Sequence, residues 1–134
     1  MEINQIVEDF NSTLLDLIEN IADVCPDTIV ADNKTTIKNT LFKAENKRKA
    51  IDTFVAKVLI YKPQIDSGNE DFFLNKSYDN DLKGVEGGNA LTGKIFEFKS
   101  IWKNLKRKNK DFVIQYMQIL CLLAQNYFMM CDSQ

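Results

Sequence analysis

The sequence contains no histidine, and its 134 residues include only two prolines and five glycines. Without histidine, the chain lacks the commonest general base, the Ser–His and Cys–His nucleophile pairs and the histidine ligands of many zinc sites. The acidic residues between positions 70 and 81 lie in a segment without regular periodicity, so they define no acid/base pair. We therefore expect a protein that is not an enzyme and that holds no cofactor and no metal.

The sequence also shows no sign of a disulfide framework, a membrane span or a signal peptide. Cys25, Cys121 and Cys131 are odd in number and far apart, so we interpret them as free thiols. The longest unbroken apolar run covers residues 119–124, far short of the ~20 residues that span a bilayer. The N-terminus has no basic segment followed by an apolar one. From these absences we expect an intracellular protein that is not secreted and has no transmembrane helix.

What the sequence does contain is typical of one helical domain. With 45% hydrophobic and 27% charged residues, the composition is that of a globular protein, and the length fits a single domain over residues 1–134. Apolar residues recur at steps of three and four, which predicts an all-α bundle of about five helices. The predicted helices cover residues 3–25, 27–44, 46–62, 89–105 and 109–130.

Prolines and capping residues set the predicted ends of these helices. Pro26 ends the first helix, because the residue before a proline is disfavoured in helical geometry. Asn46 and Asn109 are the predicted N-caps of the third and fifth helices. Lys62-Pro63 is predicted to close the third helix.

A long connection is predicted before the fourth helix, over residues 63–93. Its apolar cluster, Phe72-Phe73-Leu74, is expected to form a short helix that tethers the connection to the core, because two adjacent phenylalanines are costly to leave in water. The string 88–94 matches the GxxxxGK core of a phosphate-binding loop, but Ile95 replaces the Ser or Thr that binds the metal. Asp79-Asn80-Asp81 resembles the start of a calcium loop without its later ligands. Both strings are interpreted as structural.

The fifth helix is apolar around most of its circumference. A helix of this kind is normally enclosed by its neighbours, so we expect it at the centre of the bundle. Cys121 on this helix is expected to be a buried packing residue whose pKa is raised, and Cys131 to be exposed. The spacing of Trp102 on the fourth helix favours burial.

Charge alternates in sign along the chain. Residues 1–32 carry eight acidic side chains and no basic one, and residues 33–62 carry eight basic side chains against two acidic ones. Residues 63–93 are again acidic, and residues 94–110 have seven basic side chains against Glu97 alone. The net charge of −2 conceals this segregation.

The basic residues concentrate in two turns, 43–49 and 103–110. If both turns lie at the same end of the bundle, they form one positive pole able to hold phosphates or an acidic protein surface. The other interpretation is that these residues solvate the domain, complement helix dipoles and face the acidic first helix. No aromatic residue is interleaved in either turn to stack a base. The candidate contact residues are Lys47, Arg48, Lys49, Lys103, Lys106, Arg107, Lys108 and Lys110.

Six short strings occur in order over most of the chain: Asp9-Phe10-Asn11, Cys25-Pro26-Asp27, Thr53-Phe54-Val55, Glu70-Asp71-Phe72-Phe73-Leu74, Ile101-Trp102 and Gln115-Tyr116-Met117-Gln118-Ile119-Leu120. Taken together, they resemble small, mostly uncharacterised helical proteins of the nucleocytoplasmic large DNA viruses. The resemblance implies a viral protein made in a host cell, and it implies no catalytic or binding residues.

Two hypotheses follow, and an enzyme is kept as a third only as a remainder. The first is a non-enzymatic viral protein that acts through protein–protein contacts, as a minor virion or capsid-associated component, with a capsid, other viral or host protein as partner. Its expected location is the host cytoplasm, the viral factory or the virion. The second is a nucleic-acid-binding helical module that uses the turns 43–49 and 103–110. Neither hypothesis predicts an oligomeric state.

Overall fold

The structure of the chain is a computed structural model that describes residues 2–24, 35, 47–76 and 99–132. The predicted N-cap of the third helix, Asn46, is wrong, because the helix begins at Lys49 and its N-cap is Arg48. Apart from residue 35, the predicted second helix lies outside the described residues, as do the start of the fourth helix, Cys25 and both loop motifs between residues 79 and 95. The expectations for these segments stay predictions.

The fold is all-α, and the described residues include no strand. Residues 99–104 are helical and belong to the predicted fourth helix. The other helices are α1 (Ile3–Val24), α2 (Lys49–Lys57), a 3₁₀ turn (Leu59–Tyr61), α3 (Lys62–Asp66), α4 (Glu70–Asn75) and α5 (Arg107–Asp132).

α1 and α5 are the two long helices, and they pack against each other in antiparallel orientation. Val24 at the end of α1 shares a cleft with Phe112 near the start of α5. At the opposite end, the Arg48 guanidinium hydrogen-bonds Asn4 Oδ1 and lies 6.0 Å from the centre of the Tyr127 ring. The start of α1 and the end of α5 therefore lie together.

The core lies between α1, α2 and α5. Phe10 of α1 is fully buried and meets Phe54 of α2 edge-on, with the ring centres 5.2 Å apart. α5 contributes Leu120, Cys121 and Ala124, which have no exposed surface. α5 contacts α1, α2, the 3₁₀ turn and α3, which confirms its predicted central position.

The predicted third helix is wrong in its extent. The α-helix covers only Lys49–Lys57, and its first turn receives no side-chain hydrogen bond from Arg48 at the N-cap. The chain then tightens into the 3₁₀ turn, and Pro63 lies in the first turn of α3 instead of closing a helix. Proline suits a first turn because no helical acceptor is available there for a backbone N–H.

The predicted long connection therefore begins later than Pro63. Gly68, with φ +65°, makes the turn after α3, and Asn69 Oδ1 accepts a hydrogen bond of 3.1 Å from the Phe72 N–H to cap α4. The short helix expected at Phe72-Phe73-Leu74 is confirmed. Its phenylalanine rings pack against the Tyr61 ring, at 5.9 Å and 6.2 Å between centres.

Candidate functional site

α5 has one buried face and one exposed apolar face. The expectation that neighbours enclose the whole helix is wrong, because Ile119, Leu122 and Met129 are 48%, 55% and 60% exposed. Among the described residues, the core lies on one side of the helix, and the exposed apolar residues lie on the side that faces away from that core. An apolar surface left in water at this extent is characteristic of an interaction site.

The exposed face follows a regular spacing, and we call it the α5 stripe. Its members are separated by alternating steps of three and four residues, and all six are exposed. Alternating steps of three and four are the a and d positions of a heptad, the spacing at which one helix packs along another. The α5 stripe consists of Phe112, Gln115, Ile119, Leu122, Asn126 and Met129.

The α5 stripe lies almost opposite the buried face. At 100° per residue, the stripe spans an arc of about 100° whose middle is about 140° away from the middle of the arc of Leu120, Ala124 and Tyr127. α1 and α2 cover the buried arc and leave the stripe accessible. A second helix can therefore dock on the stripe without displacing the core.

α5 is also the one helix within the described ranges that is long and apolar enough to cross a membrane. Length and composition alone support this, and the core helix of a soluble protein meets the same criteria. The predicted absence of a membrane span stays a prediction.

A part-buried hydrogen bond joins the end of α5 to α2. The Tyr127 hydroxyl donates to Asp52 Oδ1 at 2.6 Å, and the Tyr127 side chain is almost fully buried. Burial and this hydrogen bond raise the pKa of Tyr127 above its ordinary value. Together with the packing of Leu120, Cys121 and Ala124 in the core, the bond fixes the rotation of α5 about its own axis and the direction in which the stripe faces.

At the other end of α5, a polar cluster surrounds Arg107. Its guanidinium binds Asp111 Oδ1 and Glu70 Oε2, each at 2.6 Å, and these carboxylates raise the pKa of Arg107. Glu70 Oε1 also accepts a hydrogen bond of 3.1 Å from the indole N–H of the half-buried Trp102. Glu70 thus joins α4 to both neighbouring segments and has a structural role.

The described residues of the two basic turns, 47–49 and 103–110, lie at opposite ends of α5. Arg48 touches Tyr127 near the end of α5, whereas Arg107 opens α5, and about 30 Å of helix separates the two positions. Lys47, Arg48 and Lys49 are exposed at one end. Lys103, Lys106, Arg107 and Lys108 are exposed at the other end, where Lys110 is half-buried.

Because these residues lie at opposite ends, they do not form the single positive pole that phosphate binding by both turns together requires. The second turn also has a reduced free charge, because two carboxylates already bind Arg107. Arg107 is a predicted contact residue because it lies in the basic turn 103–110. Of the two carboxylates that bind it, Asp111 is one helical turn away on α5, whereas Glu70 is remote in the sequence. Nucleic-acid contact through either turn and the solvating interpretation both stay predictions.

A cleft of about 200 Å³ lies where the end of α1 meets the start of α5. Its lining combines Ile21, Val24 and Phe112 with the amides of Asn20 and Asn109, and Lys108 is its one charged residue. Such a lining holds no acid/base pair. The cleft adjoins Phe112, so it extends the apolar surface of the α5 stripe at that end.

Two cysteines are free thiols in different environments. Cys121 is fully buried and Cys131 is exposed, as the sequence predicted. Burial, with a smaller contribution from Asp66, raises the pKa of the Cys121 thiol to about 11. Cys121 is therefore a packing residue and a poor nucleophile at neutral pH.

We expect the stability of the protein to fall between pH 9 and pH 11 because of Cys121. In this interval the unfolded chain releases the thiol proton while the folded chain retains it, so the free energy of unfolding decreases with pH. The slope approaches about 1.4 kcal/mol per pH unit, and the total is about 2–3 kcal/mol. Urea denaturation across this range measures it. Cys121→Ala should reduce the slope by this amount, and the matched Cys131→Ala should retain it. The slope that remains in Cys121→Ala comes from Tyr127, whose raised pKa acts in the same direction above about pH 10. Equal slopes in both variants would contradict the assignment.

Sequence reasoning missed the α5 stripe although its signal was present. Ile119 and Leu122 were noted as apolar, and their positions were interpreted as enclosed. The signal is the alternation of steps of three and four residues from Phe112 to Met129. Because Gln115 and Asn126 are polar, a count of apolar residues alone does not reveal this spacing.

In comparisons with known proteins, no protein-family model, no curated protein and no solved structure matches this chain.

Proposed function

We propose that this chain is a non-enzymatic interaction protein that works through protein–protein contact along the α5 stripe. One observation carries the proposal: six exposed positions of one helix follow helix-packing spacing, and four of them are large and apolar. The Tyr127–Asp52 hydrogen bond and the α1 packing support the proposal, because they give the stripe a fixed orientation.

We further propose that the protein belongs to a large DNA virus and associates with the capsid or is a minor component of the virion. The resemblance of the six sequence strings supports this assignment. A small helical domain with a fixed apolar stripe suits such a role, since it needs a surface and no active site. The protein then acts in the host cytoplasm or the viral factory, or inside the particle.

The test is incorporation into particles. We expect tagged full-length chain to purify with virus particles, and Leu122→Glu to reduce its incorporation at least tenfold, because a charge enters the stripe. Ile60→Glu is the matched control, since Ile60 is 71% exposed on the 3₁₀ turn and lies outside the stripe. Quantitative mass spectrometry of purified particles measures both variants. Equal incorporation of both variants, or absence of the wild-type chain from particles, would contradict the proposal.

A further inference from the structure

The polar members of the α5 stripe constrain the identity of its partner. In heptad terms, Phe112, Ile119 and Asn126 occupy a positions, and Gln115, Leu122 and Met129 occupy d positions. A uniformly apolar partner would leave the amides of Gln115 and Asn126 without hydrogen bonds once buried, which is costly. The partner must therefore present amides or other hydrogen-bonding groups at the matching places.

A second copy of the same helix meets this requirement in antiparallel orientation. The two copies are related by a two-fold axis at the level midway between Leu120 and Cys121. Residues at equal distances on either side of this level then pair, so the two residue numbers of each pair add to the same value. All six stripe positions find a partner in this register. Each polar residue then faces a polar one, and each apolar residue faces an apolar one. The layers are Phe112 with Met129 of the second copy, Gln115 with Asn126 of the second copy, and Ile119 with Leu122 of the second copy, each formed twice.

The charges of α5 favour the antiparallel orientation over the parallel one. Lys106, Arg107, Lys108 and Lys110 lie at the start of the helix, against Asp111, and the positive end of the helix dipole adds to them. Parallel packing would place two such basic ends side by side. Antiparallel packing places each basic end beside Asp132 and the negative dipole end of the other copy. Asp132 then approaches Asp111, whose charge Arg107 already compensates.

From this register we infer that the α5 stripe is a homodimerisation surface, on which two copies of the chain pack their α5 helices antiparallel. The inference rests on the proposed function, since it names the partner of the same surface. A lipid bilayer is a poorer occupant, because it offers no hydrogen-bond partners to Gln115 and Asn126. A stripe about 26 Å long buries less than the ~800 Å² per partner of a tight complex, so the dissociation constant should be micromolar.

The first test is sedimentation equilibrium of the full chain from low micromolar to several hundred micromolar concentration. We expect a monomer–dimer equilibrium, and Leu122→Glu should raise the dissociation constant at least tenfold. Ile60→Glu should leave it unchanged. Far-ultraviolet circular dichroism checks that both variants are folded. A dimer that tolerates Leu122→Glu would overturn the inference.

The second test uses the amide layers to distinguish the two orientations. In the antiparallel register, Asn126→Leu leaves Gln115 of the other copy facing a leucine, so it should weaken the dimer, and adding Gln115→Leu should restore or tighten it. In a parallel dimer each position faces itself, so Asn126→Leu alone would tighten binding. Tightening by the single variant would overturn the inferred orientation.

The third test measures orientation directly. A nitroxide at Lys108→Cys, with Cys25 and Cys131 replaced by alanine, lies far from its counterpart in an antiparallel dimer and close to it in a parallel one. For the antiparallel dimer, double electron–electron resonance should give about 40 Å between the two labels, as calculated from the 1.5 Å rise per residue. A separation near the ~10 Å between helix axes would overturn the inference.

Other occupants of the stripe give different results, and each overturns the inference. A monomer whose stability falls on Leu122→Glu would show that another part of the same chain covers the stripe. A monomer that co-sediments with phosphatidylcholine vesicles would show a membrane surface. A stable monomer whose incorporation into particles still requires Leu122 would refute dimerisation while the proposed function stands.

Discussion

Phe10→Ala is expected to lower the free energy of unfolding by about 3–5 kcal/mol, the cost of removing a large aromatic side chain from a core. Phe10 has no exposed surface, and its ring meets Phe54 edge-on, so the substitution leaves a cavity between α1 and α2 and removes an aromatic pair worth about 1 kcal/mol. Single domains have only about 5–15 kcal/mol of stability. Urea denaturation followed by circular dichroism should show a much lower midpoint.

Phe128→Ala is the matched control for this prediction. It makes the same chemical change on α5, but Phe128 is 51% exposed and lies outside both the core and the stripe. We expect a change within about 0.5–1 kcal/mol for such a surface position. If the two substitutions cost the same, the packing of α1 against α2 at Phe10 would be wrong.

Leu120→Asp and Leu122→Asp are expected to differ by at least about 3 kcal/mol, although the two positions are two residues apart on one helix. Leu120 is fully buried, so an aspartate there places an unpaired charge in the core, at a cost of about 3–5 kcal/mol beyond the lost leucine contacts. Leu122 is 55% exposed, so the new carboxylate remains in water. The helix propensity penalty of aspartate, about 0.7 kcal/mol at most, applies to both and cancels.

The comparison should be made by urea denaturation at low micromolar concentration, where a dimer on the stripe contributes little stability. Leu122→Asp should retain a cooperative transition close to that of the wild type. Leu120→Asp should shift the transition strongly or abolish it. Similar losses in both variants would mean that α5 is enclosed on all sides, as its composition first indicated.

Helix type and approximate position were predictable, because amphipathic periodicity reports burial directly. The helical spacing of apolar residues such as Ile6, Phe10 and Leu17 predicted α1 to within a residue at each end. The many apolar residues near the C-terminus predicted α5. The ends of shorter elements were less predictable. Lys62-Pro63 is compatible with both the end and the start of a helix, and only the packing of Ile65 against the core decides between them.

The candidate site was predictable only in part, because the deciding contacts join residues far apart in sequence. Apolar content cannot show which side of α5 receives α1, and that choice separates Leu120 from Leu122. The same holds for the basic turns, since the contact of Arg48 with Tyr127 places the first turn far from Arg107. The spacing of the stripe residues was the one local signal, and it identifies a helix-packing face without naming what packs on it.

Trp102 gives the molecule an optical reporter for one of its ends. It is the single tryptophan, and its indole N–H binds Glu70, the same carboxylate that holds Arg107. Intrinsic fluorescence therefore follows the attachment of α4 at the start of α5, whereas circular dichroism follows all the helices. Coincident unfolding curves from the two signals would mean that this junction and the α1–α5 core melt as one cooperative unit. An earlier fluorescence transition would identify the Glu70 junction as the first part of the fold to open.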